Sequence, residues 1–383
     1  MTFAAFSALS APPPTCDIFC RVVDNFGDIG VAWRLARQLN DEYGMRVRLV
    51  VDDLIRFQTL VPAVIDDAPT QTVNGVEIIA WRDDAVLADP AELVIETFAC
   101  EIPLSFQRAM AEMDPQPVWI NLEYLSAETW VGGHHLLASP HPTLALAKTF
   151  FFPGFTAESG GLIRERDLLA RRDQFEIDRP THQPRVLVFG YDHAPLEALL
   201  AANSQADAPA EIGIVESSLT GKLKHWCGWQ AKSARNSAPM LDFHVLPLVP
   251  QEEFDHRLWE HDILFVRGED SFVRAQWAAR PFVWHIYPQA DGADRVKLNA
   301  FLELYCRQLP TPAADALRTM WLAWNAPSPD NMATAWPAFI AHLPVLRAHA
   351  KAWAEQLAAS PDLASRLLSF YREKAKIQGF ADS

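Results

Sequence analysis

Two carboxylates lie in a glycine-containing turn near the start of the chain. Residues 23–30 read VDNFGDIG and connect a strand-like apolar run to an amphipathic, helix-like run. Asp24 and Asp28 would face a bound phosphate with like charge, which disfavours a dinucleotide site there. A carboxylate at the carboxyl end of a strand suits a general base or a cation binder. The structural alternatives are an Asx turn at Asp24 and a helix cap at Asp28.

A second strand–turn–helix junction has the chemistry of an anion site. In VRGEDSFVRAQW, residues 266–277, the strand is predicted to end at Arg267. The helix is predicted to begin near Asp270 or Ser271, which are both good N-caps. The N–H groups and dipole of a helix N-terminus suit a phosphate, and Arg267 can bind one bidentately. Glu269 could accept hydrogen bonds from hydroxyls of an attached ribose or sugar. The alternative is a capped helix with a surface salt bridge.

Three aromatic residues stand at predicted strand ends of the second half of the chain. In VFGYD, Phe189 and Tyr191 are two residues apart on a strand, so their side chains face the same way. Such a pair can hold a flat base between its rings. Tyr287, in HIYPQ, carries a phenol that could reach a phosphate. Core packing is the alternative for each of these residues.

Motifs for metals and for common cofactors are missing from the sequence. The histidines form no H-x-x-x-H or H-E-x-x-H pattern, no two aspartates are two residues apart, and G-x-S-x-G and Walker A sequences do not occur. A leaving diphosphate would have to be neutralised by Arg267, hydroxyls and a helix N-terminus, as in a metal-free, two-domain transferase.

Two other functions stay open from these residues. Asp52 ends the second predicted strand, where a ribose-binding acid would stand, so a dinucleotide-dependent oxidoreductase with its cofactor site in the N-terminal βαβ unit is the main alternative. Only Gly27 and Gly30 follow the first strand, however, where that fingerprint needs three glycines. The other alternative is a two-domain binding protein without catalytic activity.

Length and composition indicate a folded, two-domain protein. The chain has 383 residues, half of them hydrophobic, and no apolar run long enough to cross a membrane. Its formal net charge of −15 argues against a nucleic-acid backbone as partner. Five sparse cysteines suit a reducing cytoplasm. Cys16 and Cys20 could suggest a metal site, but four residues along a strand separates them by about 13 Å, so we interpret them as buried on one face.

Alternating strand and helix signals predict an α/β fold of two Rossmann-like, doubly wound domains that face each other across a cleft. The alternation stops near residues 150–184, starts again, and gives way to helices only. We expect, in chain order, a disordered tail, an N-terminal domain, a C-terminal domain and a last helix that packs back on the first domain: 1–15, 16–180, 184–360 and about 361–383.

The motifs together resemble one family. CDIFCRVVDNFGDIGVAWRLARQL, NLEYLSAETW, VFGY, VPQEEFD and LFVRGEDSFVRAQWAARPFVWHIYPQ are similar to sequences of the protein-arginine rhamnosyltransferases that modify translation elongation factor P. The resemblance covers about residues 16–375, and the longer proline-containing tail departs from it. It implies a glycosyltransferase B fold with an acceptor-side first domain and a nucleotide-sugar-binding second domain. It also implies an inverting, metal-independent enzyme that needs no cofactor and uses dTDP-β-L-rhamnose as donor.

The resemblance also implies roles for single residues. Asp28 would be the catalytic base, and Asp24 would hold the guanidinium or the geometry of the site. Glu269 would serve both catalysis and donor binding. The donor would be held, with thymine on the aromatic pair and the diphosphate near Tyr287, by Phe189, Tyr191, Gln251, Arg267, Glu269, Asp270, Ser271 and Tyr287. A cationic acceptor explains the acidic turn, because a carboxylate can orient a guanidinium and accept its proton.

Overall fold

A computed structural model describes residues 13–24, 26–82, 89–175, 183–221, 243–289, 291–326 and 331–378. Several sequence predictions lie partly outside these ranges: most of the tail, the proline-flanked end of the connection, the end of a helix predicted for residues 219–226, and the last residues of the final helix. Cys227 also lies outside them.

The N-terminal sheet is parallel except at its two edges. Its eight strands in the described residues run in the order β3-β4-β2-β1-β5-β6-β8-β7, and only β3 and β7 are antiparallel to their neighbours. The elements are β1 (Thr15–Cys20), α1 (Gly27–Tyr43), β2 (Arg46–Val51), α2 (Leu54–Leu60), β3 (Thr70–Val73), β4 (Val76–Ala80), β5 (Leu93–Thr97), α3 (Leu104–Glu112), β6 (Val118–Leu122), α4 (Val131–His134), β7 (Ala138–Pro140) and β8 (Ala147–Phe151).

The C-terminal sheet is entirely parallel within the described ranges. Its five strands run in the order β11-β10-β9-β12-β13. The elements are α5 (Leu168–Gln174), β9 (Arg185–Val188), α6 (Leu196–Ser204), β10 (Glu211–Val215), β11 (Phe243–Leu246), α7 (Gln251–Trp259), β12 (Ile263–Arg267), α8 (Asp270–Trp277), β13 (Phe282–His285), α9 (Ala293–Tyr305), a 3₁₀ turn (Cys306–Gln308), α10 (Thr311–Trp324), α11 (Met332–Ala341), α12 (Leu343–Ala358) and α13 (Leu363–Gln378). The predicted α/β architecture with two parallel-sheet domains and a helical C-terminal segment is confirmed.

Helix α1 carries the acidic turn and is fixed at both ends. It ends at Gly44, which has a left-handed backbone (φ 67°) and whose N–H bonds to carbonyl oxygens of the last turn. Its inner face is buried against the sheet. On β1, Cys16 and Cys20 are both fully buried core residues. The strand β1 and the helix α1 therefore form a rigid support for the turn between them.

The last helix, α13, contacts the first domain. The Tyr43 hydroxyl and the Ser365 hydroxyl are 2.8 Å apart, and the Tyr371 hydroxyl donates to Glu92 at 2.9 Å. The N–H of Leu363, at the start of α13, bonds to the carbonyl of Leu162. No helix in the described part of the chain is long and apolar enough to cross a membrane.

Candidate active site

The carboxylate of Asp28 holds the acidic turn together. Asp28 is only 2% exposed, and its Oδ2 accepts hydrogen bonds from the backbone N–H groups of Val23 and Asp24, both at 2.8 Å. Asp28 lies in the first turn of α1, and Phe26 occupies the N-cap position without a side-chain hydrogen bond. The helix-cap alternative for Asp28 is therefore wrong, because the carboxylate bonds backwards to the turn instead.

Burial raises the pKa of the Asp28 carboxyl, against the lowering effect of its two backbone donors and of the Tyr124 phenol. A raised pKa makes the carboxylate a stronger base than an exposed aspartate. Asp28 lies at the start of α1, next to Gly27, which lines a cavity between the two domains. These features fit a group that accepts a proton.

Asp24 connects the two domains. The Tyr191 phenol lies 3.1 and 3.0 Å from the two carboxylate oxygens of Asp24 and donates to them. Burial raises the pKa of Asp24 to about 6, against the opposing effects of Tyr191 and Arg267. Glycines surround this carboxylate: a Cβ on Gly27 would lie 2.8 Å from Asp24 Oδ2, and one on Gly268, where φ is +60°, would lie 3.1 Å away. Gly27 thus leaves room for the Asp24 side chain within its own turn, and Gly268 lets the second domain approach that carboxylate.

Arg267 is a buried cation beside aromatic rings. It is 6% exposed, and its guanidinium carbon lies 4.4 Å from the ring centroid of Phe189 and 4.9 Å from that of Tyr191. Burial lowers the pKa of Arg267, so the charged form gains from any anion that binds beside it. Phe254 packs edge-on against Phe189, with centroids 5.9 Å apart. The aromatic pair and the cation form one wall of a cavity.

The turn before α8 differs from the prediction. Neither Asp270 nor Ser271 is the N-cap; Glu269 takes that position, with no side-chain cap bond, and Asp270 is the first helical residue. The Ser271 and Glu269 side chains hydrogen-bond to other groups instead of capping the helix. The Ser271 hydroxyl donates back to the Arg267 carbonyl, and Glu269 Oε2 accepts from the N–H of Leu125 in the other domain at 3.0 Å. Burial raises the pKa of Glu269 to about 8.

Only some of the predicted site residues line one cavity. A cavity of about 50 Å³ is lined by Asp24, Phe26, Gly27, Leu60, Phe189, Tyr191, Leu248, Val249, Gln251, Phe254, Arg267, Gly268, Asp270 and Ser271. Asp28, Glu269 and Tyr287 are not among its walls, although Glu269 and Asp28 both adjoin residues that are. Tyr287 is 45% exposed, with its ring edge-on to Tyr191 at 5.5 Å.

Tyr124 was missed as a site residue by the sequence analysis. Its phenol lies close enough to Asp28 to lower the pKa of that carboxyl, its ring stacks on Phe98 at 4.5 Å, and Lys297 lies 5.3 Å from that ring. Phe98 has φ +54°, an unusual backbone conformation for a bulky residue that clusters at functional sites. The NLEYL motif was the available signal, because it follows a buried strand of the first sheet.

Asp52 does not support the dinucleotide alternative. Its Oδ1 accepts a hydrogen bond from the N–H of Val22 at 3.0 Å, so it stabilises the backbone between β1 and the acidic turn. No cluster of three or more His, Cys, Asp or Glu that could hold a metal ion occurs in the residues that the structure describes.

Comparison with known proteins identifies the family. The family model of elongation factor P (EF-P) rhamnosyltransferase EarP matches residues 16–372. The chain belongs to this family. A protein-arginine rhamnosyltransferase of Pseudomonas putida KT2440 is 44% identical to this chain over 374 residues, which cover 94% of this chain and 98% of the relative. The corresponding protein of Pseudomonas aeruginosa PAO1 is 42% identical over 373 residues, covering 93% and 98%.

Solved structures agree with the EarP assignment. A structure described as the basis for EarP-mediated arginine glycosylation of translation elongation factor EF-P is 34% identical, with a TM-score of 0.62, and the match covers 94% of this chain and 99% of that one. The spinosyn forosaminyltransferase SpnP shares the fold alone, at 12% identity and a TM-score of 0.52 over 94% of this chain and all of that one. The resemblance, the glycosyltransferase B fold and the arginine rhamnosyltransferase class are confirmed.

Proposed function

We propose that this chain transfers rhamnose from dTDP-β-L-rhamnose to an arginine side chain of elongation factor P in the cytoplasm. We further propose that it inverts the anomeric carbon without a metal ion and that Asp28 is the general base. The observation that carries the proposal is the buried Asp28 carboxylate, which is held by two backbone N–H groups at the start of α1 and is close enough to Glu269 of the second domain to affect its pKa. The family relationship supports the sugar and the acceptor.

The donor would bind on the second domain. Thymine would stack against Phe189 and Tyr191, which lie together at the end of β9. Arg267, the α8 N-terminus with Ser271, and the Tyr287 phenol would bind the diphosphate. Gln251 and Asp270 line the same cavity, and Glu269 would meet the ribose or rhamnose hydroxyls. The cavity of about 50 Å³ is much smaller than ligand pockets of several hundred cubic ångströms, so we expect the cavity to widen when the donor enters.

The acceptor guanidinium would bind at the acidic turn of the first domain. Asp24 and Asp28 supply the opposite charge, and the nearby Tyr124 phenol favours the ionised form of Asp28 by lowering its pKa. A guanidinium is a poor nucleophile because its lone pairs are delocalised and its pKa is above about 12. A carboxylate that binds one N–H orients the group and accepts the proton as the nitrogen attacks. The acidic turn could therefore both orient the weakly nucleophilic guanidinium and remove its proton.

Transfer of the sugar is then a single displacement at the anomeric carbon. The guanidinium nitrogen forms a bond to the anomeric carbon of rhamnose, the bond from that carbon to the diphosphate oxygen breaks, and Asp28 takes the proton. Attack from the face opposite the diphosphate inverts the anomeric carbon. Arg267 and the α8 N-terminus stabilise the charge that develops on the leaving group, while the carboxylates stabilise positive charge on the sugar.

Calorimetric titration with dTDP and with NAD tests the donor class. We expect dTDP to bind with an affinity that falls strongly in Arg267→Gln, and we expect no heat from NAD. A protein that binds NAD and not dTDP would refute the transferase proposal in favour of the oxidoreductase alternative.

A further inference from the structure

A buried charge network lies between the two domains, next to the proposed donor cavity. It consists of two arginines and three carboxylates: Arg34, Glu165, Asp255, Asp270 and Arg274. Arg274 is fully buried and bonds to both oxygens of Asp255, at 2.7 and 2.5 Å, and to Glu165 at 2.6 Å. These contacts form the inner half of the network.

Arg34, on α1 of the first domain, forms the outer half. It is 6% exposed, and its Nε donates to Asp270 Oδ1 at 2.7 Å while its Nη1 donates to Glu165 at 3.2 Å. The other Asp270 oxygen accepts from the Gln251 amide at 3.1 Å, and that amide also donates to the Gly30 carbonyl on α1 at 2.9 Å. Asp270 therefore has both oxygens engaged by groups that span the two domains.

The position of Asp270 makes its charge matter for an anionic ligand. It is the first residue of α8, it lines the donor cavity, and it follows Arg267 by three residues. A carboxylate left alone at a helix N-terminus would repel a diphosphate bound there, and the low dielectric of a buried site strengthens the repulsion. The Arg34 guanidinium, with its Nε 2.7 Å from Asp270 Oδ1, offsets part of that charge.

Arg34 also lies on the face of α1 that packs against α7 and α8 of the second domain. Gly30 and Arg34 are four residues apart, so they lie on the same face of α1. A Cβ at position 30 would lie 3.1 Å from the Gln251 amide nitrogen and 3.4 Å from Asp270, so this face packs closely on α7 and α8. The same helix begins with the acidic turn, so Arg34 ties the turn to the donor helix.

We infer that Arg34 is a positioning residue for the donor: it neutralises Asp270 at the N-terminus of α8 and holds the acidic turn of α1 in register with that helix. The inference rests on the nucleotide-sugar donor proposed above. In this inference Arg34 does not touch the donor, and Asp270 affects donor binding through its charge and not through a direct contact. A purely structural ion pair would instead affect stability and all ligands alike.

The test compares dTDP with thymidine, which lacks the diphosphate, on four full-length variants. These are Arg34→Gln, Arg34→Lys, Asp270→Asn and the double variant Arg34→Gln/Asp270→Asn. Arg37→Gln is the matched control, because Arg37 is on the same helix but pairs with Asp41 at the surface, at 2.8 Å. Calorimetry gives the dTDP dissociation constant, ligand-observed NMR gives thymidine binding, and thermal unfolding reports on folding.

We expect Arg34→Gln to weaken dTDP at least about tenfold and thymidine by less than about threefold. The double variant should recover most of the loss, since the unpaired carboxylate is gone, and the control should match the wild type. If Arg34→Gln does not fold, Arg34→Lys, which keeps the positive charge beside Asp270, takes its place and should bind dTDP within about threefold of the wild type.

Three results would overturn the inference. The first is unchanged dTDP binding by Arg34→Gln, and the second is equal weakening of dTDP and thymidine. The third is a large loss of dTDP affinity in Asp270→Asn, which would make Asp270 a direct donor contact. A wild-type protein that does not bind dTDP would refute the proposed donor itself, and the inference with it.

Discussion

Replacing Asp28 by asparagine should separate the proposed catalytic role of this side chain from its structural role. The amide oxygen of the introduced asparagine can still accept from the N–H groups of Val23 and Asp24, as the carboxylate Oδ2 does at 2.8 Å. The fold of the turn should therefore survive. What the amide cannot do is accept a proton, so transfer to arginine should lose the contribution of general-base catalysis.

The size of each effect follows from these contacts. General-base catalysis contributes roughly 10²–10⁴-fold, so Asp28→Asn should lower kcat by that factor, or about 3–5 kcal/mol in activation free energy. Asp28→Ala should lose activity to the same extent and also leave two backbone N–H groups without partners. Each unsatisfied group costs about 1–3 kcal/mol, so only the alanine variant should unfold at clearly lower urea concentration.

The assay is kcat with saturating acceptor and donor, alongside calorimetric dTDP binding and urea unfolding for both variants. The asparagine variant should bind dTDP nearly as the wild type does, since Asp28 does not line the donor cavity. An Asp28→Asn enzyme that turns over within tenfold of the wild-type rate would refute the base assignment. An alanine variant as stable as the asparagine variant would refute the structural account of the turn.

Three further outcomes are expected. Phe189→Ala should weaken dTDP binding by about 1–3 kcal/mol, the value of one base–aromatic stack, while acceptor binding measured separately stays the same. Because the pKa of Glu269 is raised to about 8, dTDP affinity should fall as pH rises through that value and the carboxyl ionises beside the diphosphate; Glu269→Gln should remove this dependence in titrations from pH 6.5 to 9.5. The pKa of Asp24, raised from 3.8 to about 6, means that the folded state binds this proton more tightly than the unfolded state. The wild-type free energy of unfolding should thus fall by about 2 kcal/mol more than that of Asp24→Asn as pH rises from 4 to 6, and parallel urea profiles for the two proteins would contradict this.

The sequence predicted the main architecture because local signals agree with the tertiary structure. The strand signals in CDIFCRVV and MRVRLVVDD predict β1 and β2, and Gly44 marks the end of α1, but α1 begins at Gly27, four residues before the helix-like run VAWRLARQLNDEY. The edge strands β3 and β7 and the neighbouring β8 were not predicted. The strand β7 has only three residues, which is too short for a periodic pattern, and the predicted connection from about residue 150 overlaps the end of β8 (Ala147–Phe151).

The site was predicted less completely, because its contacts join distant parts of the chain. Asp270 reads locally as an N-cap, but its carboxylate is bound by Arg34, 236 residues earlier in the chain. Residue spacing within either segment cannot predict an ion pair between positions so far apart in the sequence. Tyr124 gave a weaker signal still, since its contact to Asp28 depends on how β6 lies relative to β1. Residues at a single junction, such as Phe189 and Tyr191, were predictable because strand alternation places them side by side.

The central claim, that Asp28 drives metal-independent rhamnosylation of an arginine, has one direct test. Elongation factor P is incubated with dTDP-β-L-rhamnose and EDTA, together with the wild-type enzyme or the Asp28→Asn variant, and its intact mass is measured. We predict a gain of one deoxyhexose, located on an arginine by fragmentation, with the wild type and none with the variant over the same period. An unchanged mass with the wild type, or an equal gain with both proteins, would contradict the account.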